Sequence, residues 1–413
     1  MSAVSARPAD ARDAILGVTP RVTYAPESTD ECASVMAECA RERMRIAFIG
    51  GGTELPLGHA PAALDAVIRT GGMSRVLEYA PADMVIAVEA GVTLAQVQAV
   101  TRAERQMLAL DAPHSERATL GGLIATGGCG PRRARYGAVR DLIIGVTLVR
   151  ADGVVARGGG KVVKNVAGFD LPKVACGSLG TLGLIATATF RLHPLPDAAA
   201  TAVFRGVSPE EVVSLVGRIR QAQLEPTSVV AIGDHGGKLD LGVRFEGFDQ
   251  GVDHQMKRAA SLGPAEALSE TAAETFWERQ EKTRASSSHP ERALRIKLAA
   301  LPSQLPVISP RLAPLLDALR GGSFAWYATL GLGFVAGDVV DVSAANAALL
   351  AARAALVALP CTGSLVVECA PGEVRAVVDP WGPLPESFPL MSELKQRFDP
   401  ERRLNPGRFI GGL

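Results

Sequence analysis

Glycine is spent unevenly along this chain, in dense clusters at 50–52, 121–130, 158–160 and 177–183, all in the first half. Gly50-Gly51-Gly52-Thr53 follows a short apolar run from Arg45 to Ile49. A strand that ends this way offers successive backbone N–H groups and a hydroxyl with no side chain in the way, which suits a pyrophosphate. Alone, such a triplet more often marks a tight turn. The second cluster, within Ala118 to Gly128, mixes glycines with Thr119 and Thr126. That composition lets backbone lie against a flat ring while hydroxyls and amides serve its polar edge. The third, Gly177-Ser178-Leu179-Gly180-Thr181-Leu182-Gly183, repeats glycine every third residue ahead of a strand. Three such stretches exceed what turns require, and they predict a dinucleotide site. Neither G-x-G-x-x-G nor G-x-x-x-x-G-K-[ST] occurs, which disfavours a Rossmann site and a P-loop.

Among charged side chains, Arg132, Arg133, Arg135 and Arg140 crowd one loop that could hold phosphate or carboxylate; a solvated basic loop is the plainer alternative. Lys161 and Lys164, beside Gly158 to Gly160, are ambiguous in the same way. The six histidines are scattered without metal-site spacing, and His114, next to Pro113 and just before the second glycine cluster, is the best candidate for proton transfer. The six cysteines contain no C-x-x-C, so neither zinc nor an iron–sulfur cluster is signalled, and most are expected as buried free thiols. No metal site is expected.

The elements that must position these residues follow a repeated layout. Ser28 to Glu31 has capping-box spacing, and Cys32, Val35, Met36, Cys39 and Ala40 then recur on one helical face. Met84 to Val88 reads as a strand, with a second capping box from Thr93 to Gln96 opening a helix toward Arg105. Leu142 to Val149, the Asp152-Gly153 turn and Val154 to Ala156 read as a hairpin, and Ile185 to Leu192 as a further strand. Pro194 and Pro196 mark a boundary. Beyond it, Pro209 to Arg220 and Ala344 to Leu359 read as helices, Leu239 to Phe245 as a strand, and Pro302, Pro306, Pro310 and Pro314 as a long irregular connection. Trp326, Tyr327 and Trp381 are expected to fill the core of this second part rather than cover a ligand.

At 413 residues the chain calls for two or three domains. Apolar residues at 47% and charged residues at 21% place it among ordinary globular proteins. Lys plus Arg equals Asp plus Glu, 43 of each, which gives no electrostatic reason to expect nucleic acid or an anionic membrane as partner. No apolar run is long enough to cross a bilayer and no secretory signal opens the chain, so a cytoplasmic location is expected.

The Gly50 to Glu54 turn, Thr119 to Gly128, Pro131-Arg132-Arg133 with Tyr136-Gly137 and Arg140-Asp141, Lys164-Asn165-Val166-Ala167-Gly168-Phe169-Asp170 and Gly177 to Gly183 together resemble the FAD domain of vanillyl-alcohol-oxidase-type (PCMH-type) flavoproteins. Phe398-Asp399-Pro400 and Leu404-Asn405-Pro406-Gly407-Arg408-Phe409 resemble the closing motif of FAD-linked oxidases, and the whole is most similar to the smaller FAD-binding subunit of bacterial glycolate oxidase. The resemblance covers 20–196 and 380–413 and is poor between them. It implies an α+β fold: a two-lobed FAD-binding domain over 18–196 and a smaller α+β cap within a C-terminal domain over 197–413 whose residues 392–413 return to the FAD site, while residues 1–17, rich in Ala, Ser, Arg and Asp, read from their composition as a flexible leader.

Carried over, Gly50, Gly51, Gly52, Thr53 and Glu54 would hold the pyrophosphate. Pro113, Thr119, Gly121, Gly122, Ala125, Thr126, Gly127, Arg132, Tyr136, Gly137, Gly180, Gly183, Ile185 and Asn405 would line the rest of the FAD. Catalytic candidates for oxidising a 2-hydroxy acid, which needs a cation for the carboxylate and a base for the hydroxyl proton, are Arg132, Arg133 and His114. The resemblance also implies partner subunits, a second FAD subunit and an iron–sulfur subunit, and through them peripheral attachment to a membrane. Relatives that act on hydroxy acids carry a histidine-rich metal motif; Gly233-Asp234-His235-Gly236-Gly237 lacks its second histidine. A self-sufficient FAD oxidase or dehydrogenase and a non-catalytic assembly subunit therefore stay open.

Overall fold

A computed structural model describes residues 4–161, 168–234, 237–285 and 289–413. The chain divides into two compact units, one formed by Met1–Gly130, Tyr136–Leu195 and Pro383–Leu413 and the other by Pro131–Arg135 and Pro196–Gly382.

Among the described residues the first unit has two main sheets, besides a two-stranded pairing of Gln106–Met107 with His193–Pro194. In the smaller, β1 (Arg7–Pro8), β2 (Val22–Tyr24), β3 (Ile46–Ile49) and β4 (Ala66–Arg69) lie in the order β1-β2-β4-β3, and β4 runs parallel to both β2 and β3. Helix α1 (Thr29–Arg41) covers it with Cys32, Val35, Met36 and Cys39 buried, the stripe read from the sequence. Its cap is only half the expected box: Ser28 accepts from the Glu31 N–H at 3.2 Å, but the Glu31 carboxylate reaches the Glu27 N–H instead of that of Ser28. The larger sheet is antiparallel, formed by Val76–Ala80, Val85–Glu89, Leu184–Arg191, Ile143–Val149 and Val155–Gly159 in that spatial order. Gly153, at φ 85°, turns the predicted hairpin.

The expected leader is instead part of this unit from its first described residues. β1 pairs antiparallel with β2, Ile15 is fully buried, and the Asp13 carboxylate, itself inaccessible, accepts from Arg69 at 2.6 Å, from Arg7 and from the Asp10 N–H at 3.0 Å. Composition suggested flexibility because the charged residues that look solvated in sequence here neutralise one another across the fold. The second glycine cluster differs in the same sense. It is a short helix, Leu120–Thr126, and its threonines serve it: Thr119 Oγ1 caps the Gly122 N–H and Thr126 Oγ1 donates to the Gly122 carbonyl at 2.8 Å.

The second unit is an eight-stranded antiparallel sheet running from Glu266–Ala267 at one edge through Ala198–Val207, Leu239–Gly247, Ser228–Gly233, Leu319–Tyr327, Leu332–Val339 and Ala293–Ala299 to Ser364–Cys369. Helix Pro209–Gln221 opens on a complete Ser208/Glu211 capping box with proline at its start. The proline-marked stretch is not irregular: Leu305–Asp317 is helical with Pro310 and Pro314 inside it. Each internal proline costs about 3 kcal/mol, but Leu305, Ile308, Leu312, Leu315 and Leu316 are buried along one stripe, at about 1.5–3 kcal/mol each. Packing overrides propensity here. The alanine-rich helix spans Val342–Val357, and Trp326 and Tyr327 are buried within the unit. The cysteines are free thiols, four of them buried. No helix among the described residues is long and apolar enough to cross a membrane.

Burial alone would raise the Asp13 carboxyl, but the Asp10 N–H and the Arg69 and Arg7 guanidinia outweigh it and hold it well below its ordinary value of 3.8. A depressed carboxyl stabilises the fold fully above that value, and the contribution is lost as pH falls toward the folded one. Asp13→Asn is expected to cost about 1–3 kcal/mol in urea unfolding at pH 7 and to flatten the fall in stability between pH 5 and 3. Unchanged stability would return residues 4–17 to the status of a leader.

Candidate functional site

A cavity opens in the first unit. Seven of its lining residues are glycines. Gly50, Gly51, Gly52, Thr53 and Glu54 leave β3 on one side; Thr119, Gly121, Gly122, Ala125 and Thr126 line it from the short helix; Gly180, Gly183 and Ile185 line it from the turn into the last strand of the larger sheet; and Asn405 enters from the C-terminal segment.

The glycines are required by neighbouring backbone. A Cβ on Gly51 would overlap the Arg117 carbonyl, and one on Gly50 would overlap the Thr119 hydroxyl. On Gly121 it would sit 2.8 Å from the Ala90 Cβ, and on Gly180 it would meet the Asn405 amide and the Phe48 ring. The Gly177 and Leu179 N–H groups donate to the Ile124 and Ala125 carbonyls at 2.8 and 2.7 Å, so the third glycine stretch closes the C-terminal end of the short helix.

The other sequence candidates lie elsewhere. Pro113 is buried outside the lining, and Gly127, at φ 66°, is the left-handed C-cap of the short helix. The Tyr136 ring packs on His193 with centroids 4.9 Å apart, and Gly137, at φ 88°, turns the chain toward helix Val139–Leu142. His114 sits at φ 57° in a turn whose carbonyl accepts the Arg117 and Ala118 N–H groups. Arg132 and Arg133 belong to the second unit, where Arg132 Nη2 pairs with Glu246 at 2.7 Å. Burial would raise the Glu246 carboxyl, but Arg132 and Arg244 outweigh it and hold it below its ordinary value, so it stays charged and neutralises Arg132. None of Arg132, Arg133 and His114 lines the cavity. Lys161 pairs with Glu78, whereas Lys164, Asn165, Val166, Ala167 and His235 lie outside the described residues. Among the described residues no group of three or more His, Cys, Asp or Glu side chains could hold a metal.

Sequence reasoning missed Phe48, Leu55, Thr70, Ala90, Leu123, Leu179, Leu184 and Arg408 as lining residues. Thr70 and Ala90 each follow the last residue of a strand, and strand ends beside glycine turns are the signal that could have found them. Arg408, 3% exposed, is the cation in the lining, and its Nη2 donates to the Leu55 and Leu57 carbonyls at 2.8 Å.

Two observations test the cavity against a dinucleotide. Asn405 is 2% exposed and its Nδ2 donates to the Leu179 carbonyl at 2.8 Å, while its buried Oδ1 has no hydrogen-bond partner among the described residues. An acceptor in that position calls for a donor from a bound molecule. The main-chain N–H groups of Gly51, Gly52 and Thr53 likewise have no acceptor among the described residues, as a phosphate-binding turn requires.

A family model described as an FAD binding domain matches residues 20–159. The glycolate oxidase subunit GlcD of Bacillus subtilis is 28% identical over 420 residues, covering 95% of this chain and 89% of the relative. The glycolate oxidase subunit GlcE of Escherichia coli is 32% identical over 253 residues, covering 61% of this chain and 67% of the relative. The chain belongs to the glycolate oxidase family of FAD-binding oxidoreductases. The fold agrees: a solved alkyldihydroxyacetonephosphate synthase superposes with a TM-score of 0.70 over 95% of this flavoprotein and 76% of the synthase, at 17% identity.

Gly51→Ala in this flavoprotein is expected to cut the flavin that copurifies by tenfold or more, because the methyl group pushes the 50–53 turn off the Arg117 carbonyl. Gly217→Ala, in helix Pro209–Gln221 of the second unit with open space around the added Cβ, should retain it. The ratio of flavin to protein absorbance reads both, and acid release should yield FAD and no FMN. Full flavin in Gly51→Ala would move the site elsewhere.

Proposed function

We propose that this chain is the FAD-binding subunit of a glycolate oxidase-like complex that oxidises the carbon–hydroxyl bond of a small 2-hydroxy acid and passes the electrons to partner subunits. The observation that carries the reading is the glycine-lined cavity of the first unit, in a chain whose relatives GlcD and GlcE are both glycolate oxidase subunits.

The N–H groups of Gly51, Gly52 and Thr53 would take the pyrophosphate, with Arg408 as the nearby cation, and the small residues Gly121, Gly122 and Ala125 would leave room for a flat ring. Asn405 Oδ1 would accept a hydrogen bond from the cofactor. FAD, when bound, supplies the acceptor for the hydride that leaves the substrate carbon. The chain must still provide a cation for the substrate carboxylate and a base for its hydroxyl proton. Arg132, whose guanidinium pairs with Glu246 at 2.7 Å, remains a candidate for the carboxylate. Arg133 and His114 remain further candidates, neither placed by the cavity. The proposed location is the cytoplasm, at a membrane only through partner subunits.

The purified chain is expected to bind FAD yet to be reduced slowly or not at all by glycolate or D-lactate. Anaerobic stopped-flow mixing with a panel of 2-hydroxy acids reads flavin bleaching directly, and added partner subunits should accelerate it. Rapid stoichiometric bleaching of the isolated chain would replace the subunit reading with that of a self-sufficient dehydrogenase.

A further inference from the structure

Lys395 lies on helix Phe388–Phe398 and is 1% exposed, among the most buried large side chains in the protein. Its ammonium donates to Asp399 Oδ2 at 2.7 Å and to the main-chain carbonyls of Thr181 and Leu404, each at 2.9 Å. Three donors meet three acceptors. Asp399, fully buried, is equally committed, accepting the Leu404 N–H at 2.7 Å and the Arg403 N–H at 3.0 Å besides Lys395.

The two carbonyls belong to segments that form the cavity wall. Thr181 lies between Gly180 and Gly183, and Leu404 precedes Asn405. Both segments carry backbone that only local support keeps in place: Leu179 and Asn405 are non-glycine residues at φ 48° and 46°, and they face each other through the Asn405 Nδ2 bond to the Leu179 carbonyl. The Leu404 segment is also laid along β3, where the Ile46 N–H donates to Arg403 at 2.8 Å and the Asn405 N–H donates to Ile46 at 2.7 Å. One ammonium therefore bolts the turn of the larger sheet to the C-terminal segment, which is itself bolted to the smaller sheet.

We propose that Lys395 is a positioning residue for the FAD cavity: its ammonium sets the spacing between the Leu179–Gly183 turn and the Leu404–Arg408 segment, and so places Asn405 Oδ1 and the Gly180 backbone against the cofactor. It touches no cofactor itself. The alternative is a role in global stability alone, and the two separate in the folded variant: a stability role lowers the melting temperature and leaves FAD affinity unchanged, whereas loss of the spacing weakens FAD binding well below that temperature. The inference rests on the FAD site and not on the substrate proposed above.

The test is the double variant Lys395→Met/Asp399→Leu in the full chain, stripped of flavin and titrated with FAD. Expected are a lowered melting temperature of the apoprotein, since four buried main-chain groups lose their partners, and, in the folded variant well below that temperature, an FAD dissociation constant raised at least tenfold with an altered visible circular dichroism band of the flavin that does bind. A folded double variant with wild-type affinity and an unchanged band would overturn the inference, while loss of flavin in Gly51→Ala beside it would leave the site standing. Should the double variant not fold, Lys395→Gln replaces it at low temperature. A lowered melting temperature with FAD affinity within twofold of wild type would assign Lys395 to stability alone, and a loss of affinity in the folded variant would support the positioning role.

Discussion

Backbone lies against backbone at the centre of the first unit, and the rest of its architecture follows from that closeness. Gly51 meets the Arg117 carbonyl, Gly91 meets the Thr70 and Met73 carbonyls, and Gly121 meets Ala90, all at separations no Cβ tolerates. Where two sheets approach this closely, the space between them is walled by main chain, and its chemistry is that of N–H and C=O groups. Such a surface recognises a phosphate or a ring edge through groups that mutation cannot easily delete, and it is spoiled by one methyl group. The glycine clusters are the sequence's response to a steric limit between segments distant along the chain.

Irregular walls carry an electrostatic cost that regular elements avoid. Carbonyls at Thr181 and Leu404 and amides at Arg403 and Leu404 have no ladder to satisfy them, and each would be expensive to bury alone. The Lys395–Asp399 pair takes all four, and Arg403, 5% exposed, adds bonds to the Ala151 carbonyl at 2.7 Å and to Glu401 at 2.9 Å. Burial pulls the Lys395 ammonium below its ordinary value while the facing carboxylate opposes that shift. A salt bridge here contributes little net stability by itself; its value is that it specifies one arrangement of loops.

The second unit divides its labour between the faces of one sheet. Leu239, Leu241, Val243 and Phe245 alternate into the apolar core beneath the helices, and Arg244 and Glu246 alternate to the other face. There Trp277 lies under the Arg244 guanidinium at 5.7 Å and donates to Thr201 at 3.0 Å, and Gln280 bonds the Tyr327 hydroxyl at 2.8 Å.

Much of this was legible in the residues. Capping signals placed the helices at Thr29 and Leu94, apolar runs rich in strand formers placed several strands, and glycine spacing marked the segments that now line the cavity, because each of these follows from local stereochemistry. What local rules could not decide depended on distant neighbours. Residues 4–17 read as a leader because Arg69, the partner of Asp13, lies 56 positions away, and a helix formed through Pro310 and Pro314 because an apolar stripe found a core. Arg132 looked like a free cation until Glu246, 114 residues on, neutralised it. Lys395 drew no attention, and Arg408 only as a member of the closing motif, since a charged residue in sequence looks solvated and only the tertiary fold shows which charges are buried and what main-chain groups they hold.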